Sequence, residues 1–333
     1  MPQLNCAIIG CGGYAAVHGQ RSREHAEINI VALCDISPEA TARFSNTIWE
    51  DASERPPCFT DRAAMYRETR PDAVFIATPH TLHFEHCLQA LDHGCHVFVQ
   101  KPMVTNTNDA YALKEKVEAC GKVLVIGYNT PCTPEFNYLR DQIRQETFGR
   151  LEMVTGHLSQ DWKVPTTGSW RQKPELSGGG QAYDSGAHLL NSVCWTVESN
   201  IDLVHALVDN QEAPVDINSA LNIRFKNGVF ASVVIGGNCR TTGDGYLQYF
   251  FERGRIAIDG WGGTWIEVHD EHGRVKYPPI TGTAWDPDAN FADAVFGRAD
   301  PQTTPQNGVI HSELMDAIYA SAASGEVVRP AER

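Results

Sequence analysis

Five short apolar runs punctuate the chain up to residue 128: Leu4–Ile9, Ile28–Cys34, Ala73–Ala77, His96–Val99 and Val123–Ile126. Runs of this length without polar alternation predict strands buried on both faces. The segments between them repeat at helical spacing. Phe84, Cys87, Leu88 and Leu91 fall at i, i+3, i+4 and i+7, and Ala110, Leu113, Val117 and Cys120 form a second stripe behind the cap signal Asn108-Asp109. Strands separated by helices predict βαβ units and a doubly wound parallel sheet. Past residue 128 the rhythm changes. One helix carrying Phe136, Leu139 and Ile143 follows Pro131 and Pro134, and then period-two patterns dominate: Leu221, Ile223 and Phe225; Val229–Ile235 after the turn Asn227-Gly228; Leu247, Tyr249 and Phe251; Ile256–Ile258 after Arg253-Gly254. These predict an antiparallel meander, and the stretch Gln306–Ser321 predicts a final helix. The expected organisation is an α/β domain over 1–128 and a second α/β domain with a large, open, mainly antiparallel sheet over 129–333.

The length of 333 residues suits two such cores, and 42 % hydrophobic with 20 % charged residues fits an ordinary globular chain. The net charge of −14 argues against nucleic acid or an anionic membrane as the main partner and for a small solute. The ten cysteines show no C-x-x-C pair or zinc-like spacing and several sit inside strand runs, so they read as reduced, buried thiols and no metal is expected. The first twenty residues contain no Lys or Arg, and no apolar run approaches the ~20 residues of a membrane span, which predicts a cytoplasmic protein.

The first strand runs into Gly10-Cys11-Gly12-Gly13-Tyr14-Ala15, a G-x-G-x-x-A turn that opens a helix. Gly10 permits the tight turn, Gly12 lets backbone approach a pyrophosphate, and Ala15 allows close helix–strand packing, with the helix N-terminus facing the anion. Asp35, at the end of the second strand, is placed to accept hydrogen bonds from an adenosine ribose. Its carboxylate repels a 2′-phosphate, and Ile36-Ser37-Pro38 brings no Arg, so NAD is expected over NADP. The bland alternative is that Asp35 only caps the helix that begins at Ser37-Pro38.

Three further motifs come in order: Thr78-Pro79-His80-Thr81-Leu82-His83; Gly94-Cys95-His96-Val97-Phe98-Val99-Gln100-Lys101-Pro102; and Gly178-Gly179-Gly180-Gln181-Ala182-Tyr183-Asp184-Ser185-Gly186-Ala187-His188. With the glycine turn they resemble the Gfo/Idh/MocA oxidoreductase family along nearly the whole chain. The resemblance implies an N-terminal Rossmann domain, a C-terminal open-sheet domain, a bound nicotinamide cofactor and sugar or cyclitol substrates. It places Gly10, Gly12, Gly13, Tyr14, Asp35, Thr78, Pro79, His80, His83, Gln100 and Lys101 around NAD. One departure stands out: the family's usual Glu-Lys-Pro reads Gln100-Lys101-Pro102, which keeps an acceptor but loses a charge.

Oxidising an alcohol by hydride transfer needs a base for the hydroxyl proton and a group to steady the oxyanion. Lys101 leaves the end of a parallel strand, at the edge where doubly wound sheets bind ligands. Asp184 and His188 lie four apart at the start of a helix whose other face carries Leu190, Val193, Cys194 and Val197, so both project toward one spot. Histidine, with a reference pKa of about 6.5, cycles its proton near neutrality. By resemblance, His188 is the acid/base, Asp184 orients it or the substrate, and Lys101 touches cofactor and substrate hydroxyl. The bland alternatives are a surface lysine, an N-capping Asp184 and a surface His188. His157, Asp161, Trp162, Trp170 and Arg171 form a polar–aromatic stretch suited either to a sugar pocket or to a structural loop or subunit contact.

The expected activity is NAD-dependent oxidation or reduction of a polyhydroxylated small molecule. The competing readings are a glycosidase that oxidises transiently and eliminates the aglycone, and a non-catalytic NAD sensor. Aromatic residues on the sheet (Phe225, Phe230, Tyr249, Phe251) predict a face to be covered, hence a homodimer or homotetramer.

Overall fold

The computed structural model describes residues 3–240, 243–282 and 286–331 and divides into two compact units. The first holds the chain up to Val104, Asn108–Gly127 and, from much later, Asp286–Pro305. Its six strands are β1 (Leu4–Ile9), β2 (Ile28–Cys34), β3 (Cys58–Phe59), β4 (Ala73–Ile76), β5 (His96–Val99) and β6 (Leu124–Ile126). They pair in parallel in the order β3-β2-β1-β4-β5-β6. Unbroken apolar runs make such strands because helices cover both faces: Ala7, Ile8, Val74, Ile76, Val97 and Val99 are all fully buried. Each such Val or Ile contributes roughly 1.5–3 kcal/mol by burial.

All six strands point the same way, so the ends of β1, β2, β4 and β5 lie along one edge. The strand order reverses between β1 and β4, and such a reversal is where doubly wound sheets hold ligands. The late segment completes this core. Its helix Pro287–Val295 is capped by Asp286, whose Oδ1 accepts from Ala289 N at 2.8 Å, and Phe291 packs edge-on against Phe75 and Phe98.

The second unit contains an eight-stranded sheet built from β7 (Leu151–Ser159), β8 (Ile201–Asp209), β9 (Asn218–Phe225), β10 (Phe230–Gly236), β11 (Asp244–Phe251), β12 (Gly254–Asp259), β13 (Ile266–Asp270) and β14 (Gly273–Val275). The order is β14-β13-β12-β11-β7-β10-β9-β8, so the expected meander is interrupted. β7, from earlier in the chain, inserts between β10 and β11 and pairs parallel with β10. Period-two alternation sends Leu221, Ile223, Val233, Ile235 and Leu247 into one core with the helices Gly186–Val197 and Pro305–Ser324. The same alternation corrects the reading of the aromatics. Phe225, Tyr249 and Phe251 face this core, and Phe230 alone of the four is exposed, beside Val234 on the outer face. None of the ten cysteines is in a disulfide among the described residues, and seven are buried.

Candidate functional site

In the first unit the glycine turn leaves β1 at Gly10, whose φ is +88°. A Cβ there would lie 2.8 Å from the Ala77 carbonyl and 2.9 Å from Thr78 Cγ2, so only glycine fits between β1 and β4. At Gly12 and Gly13 a Cβ would meet no protein atom within 4 Å. The backbone is therefore bare on the ligand side of the turn. Tyr14 is exposed and precedes the helix Ala15–Glu24, whose first turn carries no acidic residue to oppose an anion at its N-terminus. Asp35 is fixed from both sides, Oδ2 accepting from Cys11 N at 2.8 Å and Oδ1 from Ser37 N at 2.9 Å. Its remaining lone pairs suit ribose hydroxyls. The helix cap behind it is Ser37, whose hydroxyl accepts from Ala40 N, so Asp35 is not needed for that duty. These features fit a dinucleotide.

The other predicted cofactor residues divide. Thr78, Pro79 and Lys101 lie partly open at the same strand edge. His80 is buried in the short turn His80–Leu82, its ring 5.8 Å from that of His83. His83 is a fully buried brace: Nδ1 lies 2.7 Å from the Pro102 carbonyl oxygen and Nε2 2.9 Å from that of Thr78. Two carbonyls favour a protonated ring, but burial outweighs them and pushes its pKa down to about 4. Gln100 also turns into the interior. Its Nε2 is 2.6 Å from His18 Nε2, His18 Nδ1 is 2.6 Å from Asp288 Oδ1, and Arg21 donates to Asp288 Oδ2 at 2.7 Å. The carboxylate in this buried chain is Asp288, so an uncharged residue at position 100 leaves no charge without a counterpart. Among the described residues no group of His, Cys, Asp and Glu could hold a metal.

In the second unit Asp184 ends the glycine-rich segment and His188 sits in the first turn of the helix Gly186–Val197. Eleven of that helix's twelve residues are buried, and His188 is the exception. The glycines ahead of it are filled by the protein itself rather than by an approaching ligand. A Cβ at Gly180 would fall 2.0 Å from the Asp216 carbonyl oxygen, and the Asp216 carboxylate accepts from Gly180 N, Ala182 N and the Tyr319 hydroxyl. This staple sets where Asp184 and His188 stand. Asp184 is buried, and its carboxylate accepts at Oδ2 from Trp162 Nε1 at 2.8 Å and Arg171 Nε at 2.9 Å. Arg171 in turn lies over the Trp170 ring at 4.6 Å.

The fold thus brings Trp162, Trp170, Arg171 and Asp184 together. His157 does not join them. On β7 the residues Val154 and Leu158 face the helix Gly186–Val197, so His157 points to the opposite side, where its ring is 5.2 Å from Tyr246. Two rings that the sequence reading missed do reach His188: Tyr128 edge-on at 5.7 Å and Trp261 at 5.1 Å. The signal for the second was available in Asp259-Gly260-Trp261-Gly262-Gly263-Thr264-Trp265, a polar, glycine-rich turn with two indoles.

Residues 4–128 match the oxidoreductase family with an NAD-binding Rossmann fold, and residues 136–265 match the GFO/IDH/MocA C-terminal domain. The chain belongs to the Gfo/Idh/MocA family. It is 30 % identical over 200 residues to D-glucoside 3-dehydrogenase of Escherichia coli (strain K12), a match that covers 58 % of this chain and spans about half, 54 %, of that relative. Glucose-6-phosphate 3-dehydrogenase of Bacillus subtilis (strain 168) is 24 % identical over 238 residues, covering 68 % of this chain and 66 % of that one. The structure of levoglucosan dehydrogenase in complex with NADH superposes with a TM-score of 0.86 over 99 % of this chain and 100 % of that chain at 20 % identity, which shows the shared fold. The Gfo/Idh/MocA members and this chain therefore have the NAD-binding Rossmann domain and the open second sheet in common.

Proposed function

We propose that the protein is an NAD-dependent oxidoreductase that moves a hydride between the nicotinamide and a hydroxyl-bearing carbon of a sugar, cyclitol or sugar derivative. The observation that carries this reading is the solvent access kept by His188 alone in a helix otherwise buried, four residues after a buried carboxylate, Asp184, that two donors hold in place. A helix that needed only to pack would place an apolar residue there. NAD, when bound, supplies the hydride acceptor. In the oxidative direction the His188 ring takes the hydroxyl proton, the Lys101 ammonium steadies the alkoxide, and Asp184, with Trp162, Trp170 and Arg171, positions the substrate. The dehydrogenase relatives, one acting on D-glucosides and one on glucose 6-phosphate, support a sugar-type substrate. Purified protein with NAD and a panel of sugars is expected to form NADH and a keto-sugar. Aglycone release without net NADH would indicate the glycosidase chemistry instead, and neither outcome would leave an NAD sensor.

The ten cysteines outside any disulfide support a reducing, cytoplasmic setting, and among the described residues no helix is long and apolar enough to cross a membrane. The exposed Leu207, Phe230 and Val234 on the outer sheet face support a homodimer or homotetramer. Sedimentation is expected to show a multiple of 36.7 kDa at micromolar concentration, and a monomer alone would refute it.

A further inference from the structure

The turn between β12 and β13 carries two tryptophans on a rigid frame. Asp259 holds it: Oδ1 accepts from Trp261 N at 2.9 Å, and Oδ2 accepts from Gly262 N at 3.3 Å, Thr264 N at 3.0 Å and the Thr264 hydroxyl at 2.7 Å. Burial alone would raise the pKa of this carboxylate, but those bonds outweigh it and keep it low. From the other side, Asn129 Nδ2 donates to the Trp261 carbonyl at 3.3 Å. So fixed, the indoles are nevertheless left 39 % (Trp261) and 47 % (Trp265) exposed. Large amphipathic rings held in the open on a fixed backbone turn are suited to receiving a ligand.

Both rings line a cavity of about 270 Å³ together with Ser159, Gln160, Asp244 and Asp259. That volume is near the lower end of small-molecule pockets, about 300 Å³, and suits a single ring. Trp261 also packs against the His188 ring, at 5.1 Å between centroids, so one wall of the cavity is shared with the candidate acid/base's surroundings. The indoles offer flat apolar faces of the kind that stack on the C–H face of a pyranose, while Asp244 and Gln160 bring a carboxylate and an amide, both able to bond hydroxyls, to the same lining. Two carboxylates in the lining disfavour a phosphate or a uronate.

Resting on the oxidoreductase reading above, we propose that this cavity is a second subsite, which holds a neutral sugar ring joined to the one being oxidised, and that the protein therefore favours glycosides and disaccharides over single sugars.

The test is calorimetric titration of the protein saturated with NADH, so that no sugar is oxidised, with D-glucose and with cellobiose. Cellobiose is expected to bind about tenfold more tightly, a difference of ~1.4 kcal/mol. Trp265→Ala is expected to remove that advantage and Trp265→Phe to restore most of it. Equal affinities, or binding of neither sugar, overturn the subsite. So does a Trp265→Ala protein that keeps the cellobiose advantage but sediments differently, which would assign the surface to a second copy of the chain. Turnover is measured separately with NAD. A binding advantage without NADH formation refutes the oxidoreductase reading and leaves the subsite, and NADH formation without the advantage does the reverse.

Discussion

Replacing His188 with alanine is expected to lower sugar turnover by about 10²- to 10⁴-fold, the usual loss when a positioned acid/base is removed. The affinity for NADH should stay at the wild-type level, because the glycine turn, Asp35 and their partners all belong to the other unit. The fold should also survive. His188 is the least buried residue of its helix, and its ring contacts with Tyr128 and Trp261 are worth roughly 0.5–1.5 kcal/mol each. Steady-state kinetics beside an NADH titration and a melting curve separate these effects. Near wild-type turnover in a folded, cofactor-binding variant would remove His188 from the chemistry.

The second large effect is expected at Lys101. Methionine keeps the length and the apolar stem but deletes the charge, so Lys101→Met isolates the ammonium's contribution. If the lysine steadies a developing alkoxide, the loss in kcat should be about 10²- to 10³-fold, comparable with removing a donor from an oxyanion hole. His83 and Gln100, its neighbours, are engaged in the interior and should hold the strand end in place without it. A fall in cofactor affinity with unchanged kcat would instead limit Lys101 to NAD binding.

The parallel sheet was legible because strands buried on both faces leave unbroken apolar runs, and because Gly10, Gly12 and Ala15 each answer a specific steric demand of the turn that follows β1. Where demands are local, sequence states them. β3 has two residues and offers no pattern, and β7, Leu-Glu-Met-Val-Thr-Gly-His-Leu-Ser, mixes polar and apolar positions because it lies mid-sheet with one face outward. Its insertion beside β10 joins residues about 75 positions apart in the register Val154 to Ala231, which no local period encodes. The helix Pro287–Val295 returns to the first core for a reason visible only there: Asp288 completes the buried chain with His18 and Gln100. The same limit applies to the site. Trp162 and Arg171 were evident as residue types suited to a sugar, but their shared partner, one oxygen of Asp184, emerges only from the fold. Glycines 178–180 carry no sign in the sequence of what fills the space beside them, and the fold gives that space to Thr105, Tyr319 and Asp216.

The most direct measurement follows the hydrogen itself. A sugar that the protein oxidises, carrying deuterium at the carbon bearing the reacting hydroxyl, is turned over with NAD, and both products are examined by mass spectrometry. Direct hydride transfer requires one deuterium in the reduced cofactor for each keto-sugar formed, with none lost to water. Deuterium released to solvent, or retained in a sugar product that appears without any NADH, would contradict the account.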